Sequence, residues 1–399
     1  MVRLFVKPDK EILNIVNKGI EKCNGNLLKF SREVNICRTT IYHWFENRIW
    51  IDIKKLKKIC DYLDSDYLRL IEGKYVHSTR SNPEIFNKEW FKLNPNIAIL
   101  LGWFCTDGYI PKNCCRIEIF QNDKATLERL KTIVKNEYQT NNKVIIRPGK
   151  NRDGYSLEIN SPMLKYVLVN YFGIKEGKKN FIVSVPKQIF KSSKECKWAF
   201  LAASIEGDGS WPIKTLTIRM TSKNYIKGCK RLLRSLGYKS IASPMSQENV
   251  WIWQVAAKVD ICKIIHNCLP YVINQEKFQH FIKQSYFQNR FFKNLFIEFD
   301  NEVILKAKNK LDCSFRDLTK QIKRTTGFNY SHDYMQSLLN NHYQNRKAKI
   351  RLPVLIAISE VLKDRSIIPK EFLWLIENIK YKDLMPFSNE SIKRNYKNR

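Results

Sequence analysis

Two stretches of this chain have the same shape. "AILLGWFCTDGYI" (98–110) and "WAFLAASIEGDGSW" (198–211) each run from apolar residues through small ones into Asp-Gly. They align without a gap from Leu100 to Gly108 and from Leu201 to Gly209. Each places short residues four apart, Gly102 with Thr106 and Ala203 with Gly207. That spacing is one face of a helix, where small side chains let two backbones approach closely. Gly108 and Gly209 stand where a left-handed cap would end each helix. Acids are disfavoured there, because the last carbonyls of a helix already carry partial negative charge. If the two helices pack side by side, Asp107 and Asp208 meet at that end. Carboxylates roughly 5 Å apart repel by about 3 kcal/mol at an effective dielectric of about 20. Such a pair is stable with a divalent cation or with one acid protonated. Mg²⁺ suits it, being a hard cation content with few protein ligands plus water and phosphate oxygens. A single Asp-Gly is ordinarily a turn, as Asp153-Gly154 is expected to be; the duplicated context sets the other two apart.

The segments downstream of the two stretches are duplicated as well. "RIEIFQ" (116–121), "KVIIRP" (143–148) and "YSLEIN" (155–160) alternate as strands, with "PGKNRDG" as a hairpin loop. The second set is "TLTIRMTS" (215–222), "YKSIASP" (238–244) and "VWIWQVAA" (250–257), with "MSQEN" as the turn. "DKATLERLKTIVKNEY" and "NYIKGCKRLLRSLGY" fill the gaps as helices. The pattern predicts an α+β fold with a pseudo-symmetric, duplicated αββαββα core, its halves at 96–190 and 191–287.

The flanks read as all-α. In residues 1–76, helices are expected at Leu27–Val34, Thr39–Asn47 and Ile53–Leu63, with a turn near Asn35–Cys37. This order resembles the helix-turn-helix of phage-type repressors, whose second helix enters the major groove N-terminus first. It would present Arg38, Thr39, Thr40, Tyr42 and His43. "HSTRSNPEIFNKEWFKLNP" (77–95) is polar, carries two prolines and reads as a linker. Residues 288–387 repeat the N-terminal order after a basic aromatic helix at 288–300. Helices are expected there at Phe315–Ile322, His332–Asn340 and Pro353–Leu362, and 388–399 is a basic tail.

Charge identifies the partner class. Seventy Lys and Arg stand against 38 Asp and Glu, a net charge of +32 distributed from end to end. An excess of this size is costly self-repulsion without a polyanion, and double-stranded DNA is the expected partner, with RNA the second polyanion of this kind. No apolar run is long enough to span a bilayer, and "MVRLFVKPDK" is not a signal peptide, so no membrane association is expected. The 11 cysteines form no CxxC pair. Cys262, His266 and Cys268 are close in "ICKIIHNCLP" but lack a fourth zinc ligand, so helix packing is expected there. Reduced thiols fit a cytoplasmic protein.

The two Asp-Gly stretches resemble the paired motifs of the LAGLIDADG homing endonucleases in their single-chain form, over about residues 96–287. The resemblance implies that the motif helices form the interface between two halves, each laying a curved antiparallel sheet into the major groove. It implies a Mg²⁺-dependent, staggered double-strand cut across the minor groove by a monomer on a long asymmetric site. The metal-binding acids are then Asp107 and Asp208, with Thr106 and Gly207 lending backbone carbonyls. A basic residue in each half polarises the catalytic water: Lys178 or Lys179 in "GKKNF", and Lys277 in "NQEKF". The first copy departs from the pattern at Leu101, Trp103 and Cys105, the second at Ala203; Asp before Gly is intact in both. By alternation, DNA contacts are expected from Arg116, Glu118, Arg147, Lys150, Arg152 and Glu158 in the first half. In the second they are expected from Lys214, Thr217, Arg219, Lys239, Gln247, Trp251 and Gln254.

The leading expectation is a site-specific DNA endonuclease. A non-cleaving transcriptional regulator on the same scaffold, and an RNA-splicing maturase, are the alternatives. The chain starts "MVRLFV" without a Cys, Ser or Thr nucleophile and ends "RNYKNR" without His-Asn, so an intron-encoded or free-standing enzyme is expected over an intein.

Overall fold

Side-chain caps and apolar spacing set the first helices. Asp9 accepts from the Ile12 amide at 2.9 Å and starts α1 (Lys10–Glu21), which buries Ile12, Val16 and Gly19 along one stripe. Asn26 caps α2 (Leu27–Glu33) through the Lys29 amide, and Asn35, with φ of 50°, turns the chain into α3 (Arg38–Phe45). Asp52 caps α4 (Ile53–Tyr62), and the shorter α5 (Tyr67–Ile71) follows. The computed structural model describes residues 3–78, 83–138, 144–149, 153–179, 181–210, 215–239, 245–247, 249–283, 294–326, 329–343 and 349–378.

The N-terminal flank is not all-α. Strands β1 (Phe5–Val6), β2 (Ile51–Asp52), β3 (Tyr75–His77) and β4 (Glu84–Ile85) form a sheet in the order β2-β1-β3-β4, its described pairs antiparallel. Strands of two or three residues are too short to show alternation, but Val6, Ile51 and Val76 are fully buried. Residues 77–95, expected as a linker, carry β4 and a short 3₁₀ turn at Lys88–Phe91, and they bury Phe86, Trp90 and Phe91. Glu84 is buried too. Its carboxylate accepts from Ser161 Oγ at 3.1 Å and from the Met163 amide at 3.0 Å, so it holds the N-terminus of α8 (Pro162–Tyr166).

The duplication is a repeat of topology. Helix α6 (Pro95–Thr106) leads into β5 (Gly108–Tyr109), β6 (Arg116–Gln121), α7 (Lys124–Tyr138), β7 (Val144–Pro148) and β8 (Tyr155–Asn160), with strand order β5-β6-β8-β7. After α8 and α9 (Lys187–Lys191), helix α10 (Lys194–Asp208) leads into β9 (Gly209–Ser210), β10 (Leu216–Met220), α11 (Lys223–Ser235), β11 (Met245–Gln247) and β12 (Val250–Val255). Their order is β9-β10-β12-β11, the same arrangement. One strand departs from expectation. The pairing strand is Met245–Gln247, inside the stretch expected to turn, and Gln247 stands opposite Val250. Asn249, with φ of 64°, makes the hairpin, since Asn tolerates the left-handed backbone that a tight turn needs. Of the expected strand 238–244, residues 240–244 lie outside the described residues.

Helices α12 (Lys258–Cys268) and α13 (Gln275–Lys283) precede a C-terminal group that also includes strands. The expected helix at 288–300 is corrected. Phe296–Glu298 is β13, paired antiparallel with β14 (Lys349–Arg351), because Ile297 and Ile350 alternate inward and are buried; residues 288–293 lie outside the described residues. Helices α14 (Glu302–Lys310), α15 (Phe315–Thr326) and α16 (His332–Tyr343) come before β14, with α17 (Leu352–Leu362) and α18 (Lys370–Asn378) after it. Helix α17 is buried over most of its length and packs against α14 and α15. The expected tail 388–399 lies outside the described residues. The chain divides into two compact units: Met1–Asp208 with Arg219–Gly237 and Pro244–Ile252, and Gly209–Ile218 with Tyr238–Ser243 and Trp253–Arg399.

Candidate functional site

Both motif helices lie within the first unit, and they pack on each other along their length. They are apolar nearly all round: every described residue from Ile97 to Cys105, and from Trp198 to Glu206, is buried. Contact is closest at the small residues. A Cβ on Gly102 would stand 2.6 Å from Ala203 Cβ and 2.9 Å from the Phe200 carbonyl. One turn on, a Cβ on Gly207 would meet Thr106 Oγ1, lie 2.6 Å from Thr106 Cβ and lie 2.7 Å from Asp107 Oδ2. Gly102, Thr106, Ala203 and Gly207 therefore line the crossing, and the residue before Asp208 sits against Asp107.

The helix ends differ from expectation in one respect. Neither Gly108 nor Gly209 takes a positive φ. Asp107 is itself the C-cap, with φ of −99°, and its amide donates to the Trp103 carbonyl at 2.9 Å. The chain then leaves α6 directly as a strand, Gly108 pairing with Ile119 and the Asp107 carbonyl accepting from the Phe120 amide. Gly108 is needed for space, since a Cβ there would stand 2.6 Å from the Phe104 Cα. Thr106 Oγ1 donates back to the Gly102 and Trp103 carbonyls, both at 3.3 Å.

Lys179 answers the question of charge at the helix ends. Its ammonium donates to the Phe104 carbonyl and, at 2.9 Å, to the Cys105 carbonyl, both in the last turn of α6. A cation there complements the negative end of the helix. Burial holds the amine below the usual lysine range, while Cys105, Asp107 and Asp208 pull it back up, so one ammonium senses both acids. Burial also pushes the Cys105 thiol up to about 12, which keeps it a neutral packing group. Of the two lysines in "GKKNF", Lys179 faces the acids and Lys178 is exposed. Lys277 is exposed on α13, in the other unit.

Among the described residues no group of three or more His, Cys, Asp or Glu could hold a metal ion. Two carboxylates with neighbouring backbone carbonyls make an incomplete oxygen set, the kind Mg²⁺ completes with water and phosphate oxygens. Asp107 Oδ2 lies so close to Gly207 that a Cβ there would stand 2.7 Å from it, which sets one carboxylate oxygen against the end of the second motif helix.

The first sheet presents one open face. Arg116, Glu118 and Phe120 share it with Ser156, Glu158 and Asn160, their cross-strand partners, and with Arg147, which stands opposite Ser156. Glu118 stands directly opposite Glu158, a repulsive pairing. Arg116 pairs with Glu118, and Arg147 with Glu158 at 3.4 Å, which offsets it. Glu118 is buried by this arrangement and is withdrawn as a base contact. Arg147 is exposed and Arg116 partly so. In the second sheet Arg219 is exposed, opposite in facing to the buried Leu216, Ile218 and Met220. Thr217 Oγ1 is held by Ser210 Oγ at 2.6 Å. Gln254 is half-buried, whereas Trp251 lies on the face of buried Trp253 and Val255, with the Lys223 ammonium 4.3 Å over its ring; the side chain of Gln247 lies outside the described residues. Trp251 is itself half-buried. Lys239 is exposed, and Lys150, Arg152 and Lys214 lie outside the described residues.

On the N-terminal flank, Arg38, Thr39 and Tyr42 are exposed at the start of α3, with Thr40 and His43 half-buried. One contact had no sequence signal. Buried Tyr225 on α11 meets Ser204 Oγ at 2.6 Å while that hydroxyl donates to the Phe200 carbonyl at 2.7 Å, pinning α11 to the second motif helix. Cys262 and Cys268 are buried in the core. No helix among the described residues is long and apolar enough to cross a membrane.

No model of a protein family matches the chain. A DNA polymerase from Thermococcus sp. (strain GE8) is 26% identical over 161 residues, which cover 38% of this chain and 9% of that protein. The chain thus spans under a tenth of the length of the curated relative it matches. Among solved structures, mesophilic variants of the homing endonuclease I-DmoI match at 20% identity and a TM-score of 0.36, over 47% of this chain and 99% of theirs. The homing endonuclease I-WcaI, bound to its DNA recognition sequence, matches at 18% identity and 0.34, over 48% and 88%. The N-terminal LAGLIDADG domain of DUF199/WhiA matches at 12% and 0.31, over 45% and 86%.

Proposed function

We propose that this chain is a site-specific, Mg²⁺-dependent DNA endonuclease of the LAGLIDADG type that makes a staggered double-strand cut and acts as a monomer with internal pseudo-symmetry. One observation carries the reading: Asp107 and Gly207-Asp208 close the same end of two packed helices, where the Lys179 ammonium donates to the last carbonyls of α6. Asp107 and Asp208, helped by the Thr106 and Gly207 carbonyls, would hold Mg²⁺, which when bound supplies an activated water and charge stabilisation for the leaving 3′ oxygen. The Lys179 ammonium interacts with both carboxylates and offsets part of their mutual repulsion in the absence of DNA. It is also the group best placed to orient a water toward a phosphodiester. Arg147, Arg219 and Gln254 on the sheets, and the start of α3 on the N-terminal flank, are the surfaces offered to the grooves, with the positive charge of the chain setting the overall attraction.

The test is cleavage, with Mg²⁺, of duplex DNA carrying the uninterrupted insertion site of the gene that surrounds this reading frame. Asp107→Asn and Asp208→Asn each abolish cutting and leave binding within a few-fold. Binding without cutting by the wild type would instead favour the regulator, promotion of intron splicing the maturase, and undiminished cutting by either variant would refute the metal assignment.

A further inference from the structure

The turn that delivers Lys179 to the acids also holds two large apolar side chains out into solvent. Phe181 is 71% exposed, the most exposed large apolar residue among those described, and Ile182 beside it is 52% exposed. Single exposed apolar residues are ordinary, but two adjacent ones on a braced support mark an interaction surface. The support here is firm. Lys179 is anchored to the end of α6 through its ammonium, and its own carbonyl accepts from the Ile182 and Val183 amides, each at 3.0 Å. Val183 and Val185 are buried; the Val183 carbonyl accepts from the Ser222 hydroxyl at 2.6 Å, and Val185 packs at Gly228 on α11. The apolar tip is therefore fixed at both ends by the core, two residues from the group that senses both acids.

We propose that Phe181 and Ile182 form an apolar wedge that enters the minor groove of duplex DNA and opens a base step beside the Asp107–Asp208 pair. Exposed Lys175, Lys178 and Lys187 flank the tip along the chain, a combination suited to a polyanion and not to an apolar partner. Minor-groove wedges work in this way, spending unstacking energy to bend the duplex and enlarge the contact. The placement beside the scissile phosphates rests on the endonuclease reading; the contact of the wedge with DNA is measured separately.

The experiment uses the full-length protein with Ca²⁺ in place of Mg²⁺ and labelled 30-base-pair mixed-sequence duplexes, either intact or with a central two-base mismatch. A mismatch unstacks the step in advance, so the wild type is expected to bind the mismatched duplex about tenfold more tightly. Phe181→Ser combined with Ile182→Ser brings that ratio to about one. The ratio is a binding measurement that involves no cutting, so a wild type that fails to cut leaves it standing. A wild-type ratio of one, or an undiminished ratio in the double variant, overturns the wedge. So does a wild type whose self-association or binding to anionic lipid vesicles is what the double variant loses, since the patch then serves a second copy or a membrane.

Discussion

At Gly207 one missing carbon decides both packing and chemistry. The helices close to a distance at which a Cβ would stand 2.6 Å from Thr106 Cβ and 2.7 Å from Asp107 Oδ2. Gly207→Ala is expected to cost about 1–3 kcal/mol by overpacking and also to displace the Asp107 carboxylate. Gly102→Ala meets Ala203 and helix backbone but no acid, so it tests packing alone. Urea denaturation should show both variants destabilised, whereas Mg²⁺ titration should show lost affinity chiefly for Gly207→Ala; equal metal affinity in the two would remove Gly207 from the site. The small residues at four-residue spacing were legible in the sequence. Lys179 was legible only as one of two neighbours, because nothing local says which of two adjacent lysines turns inward.

Among the elements, helix α7 shows how capping sets a boundary. The Asp123 carboxylate accepts from the Ala125 amide at 2.9 Å, the Thr126 amide at 3.0 Å and the Thr126 hydroxyl. Burial raises its pKa, but the Thr126 hydroxyl and the two amides outweigh burial and leave it below the ordinary 3.8. A depressed carboxyl contributes stability that is present above its unfolded pKa and is lost as pH falls through the folded value. Asp123→Ala is expected to cost about 1 kcal/mol at neutral pH. Thermal melts should show the gap between wild type and variant closing as the pH falls below about 4; a gap independent of pH would mean that the cap does not act through its charge. The helices of the core were readable from such caps and from periodicity. The turn at Asn249 was legible within "MSQEN", but the strand Met245–Gln247 that pairs across it was not, since "YKSIASPMSQEN" alternates weakly. Nor was β13, a three-residue strand that exists only by pairing with β14, far along the chain.

Over the whole molecule, positive charge and buried connections dominate. With a net charge of +32, affinity for a mixed-sequence duplex should fall about 10³-fold or more between about 50 and 200 mM salt, and Arg219→Ala should lower the slope by about one. A salt-independent affinity would set aside the polyanion reading. Within the first unit, residues 83–95 are bound to the first repeat through Glu84 and through buried Phe86, Trp90 and Phe91. Limited proteolysis should spare this segment in the wild type and cut it in Glu84→Ala, where Ser161 and Met163 lose their acceptor.

The sequence by itself determined the repeated order of helices and strands, the positions of the two Asp-Gly ends and the positive character of the surface, since these follow from periodicity, turn chemistry and composition. Tertiary structure alone decided that Gly102 meets Ala203, that Lys179 reaches the carbonyls of α6, and that Phe181 is held in solvent. Those contacts join residues far apart in the chain. Which side chain turns inward is settled by the space left between packed helices, and a local pattern carries no record of that space.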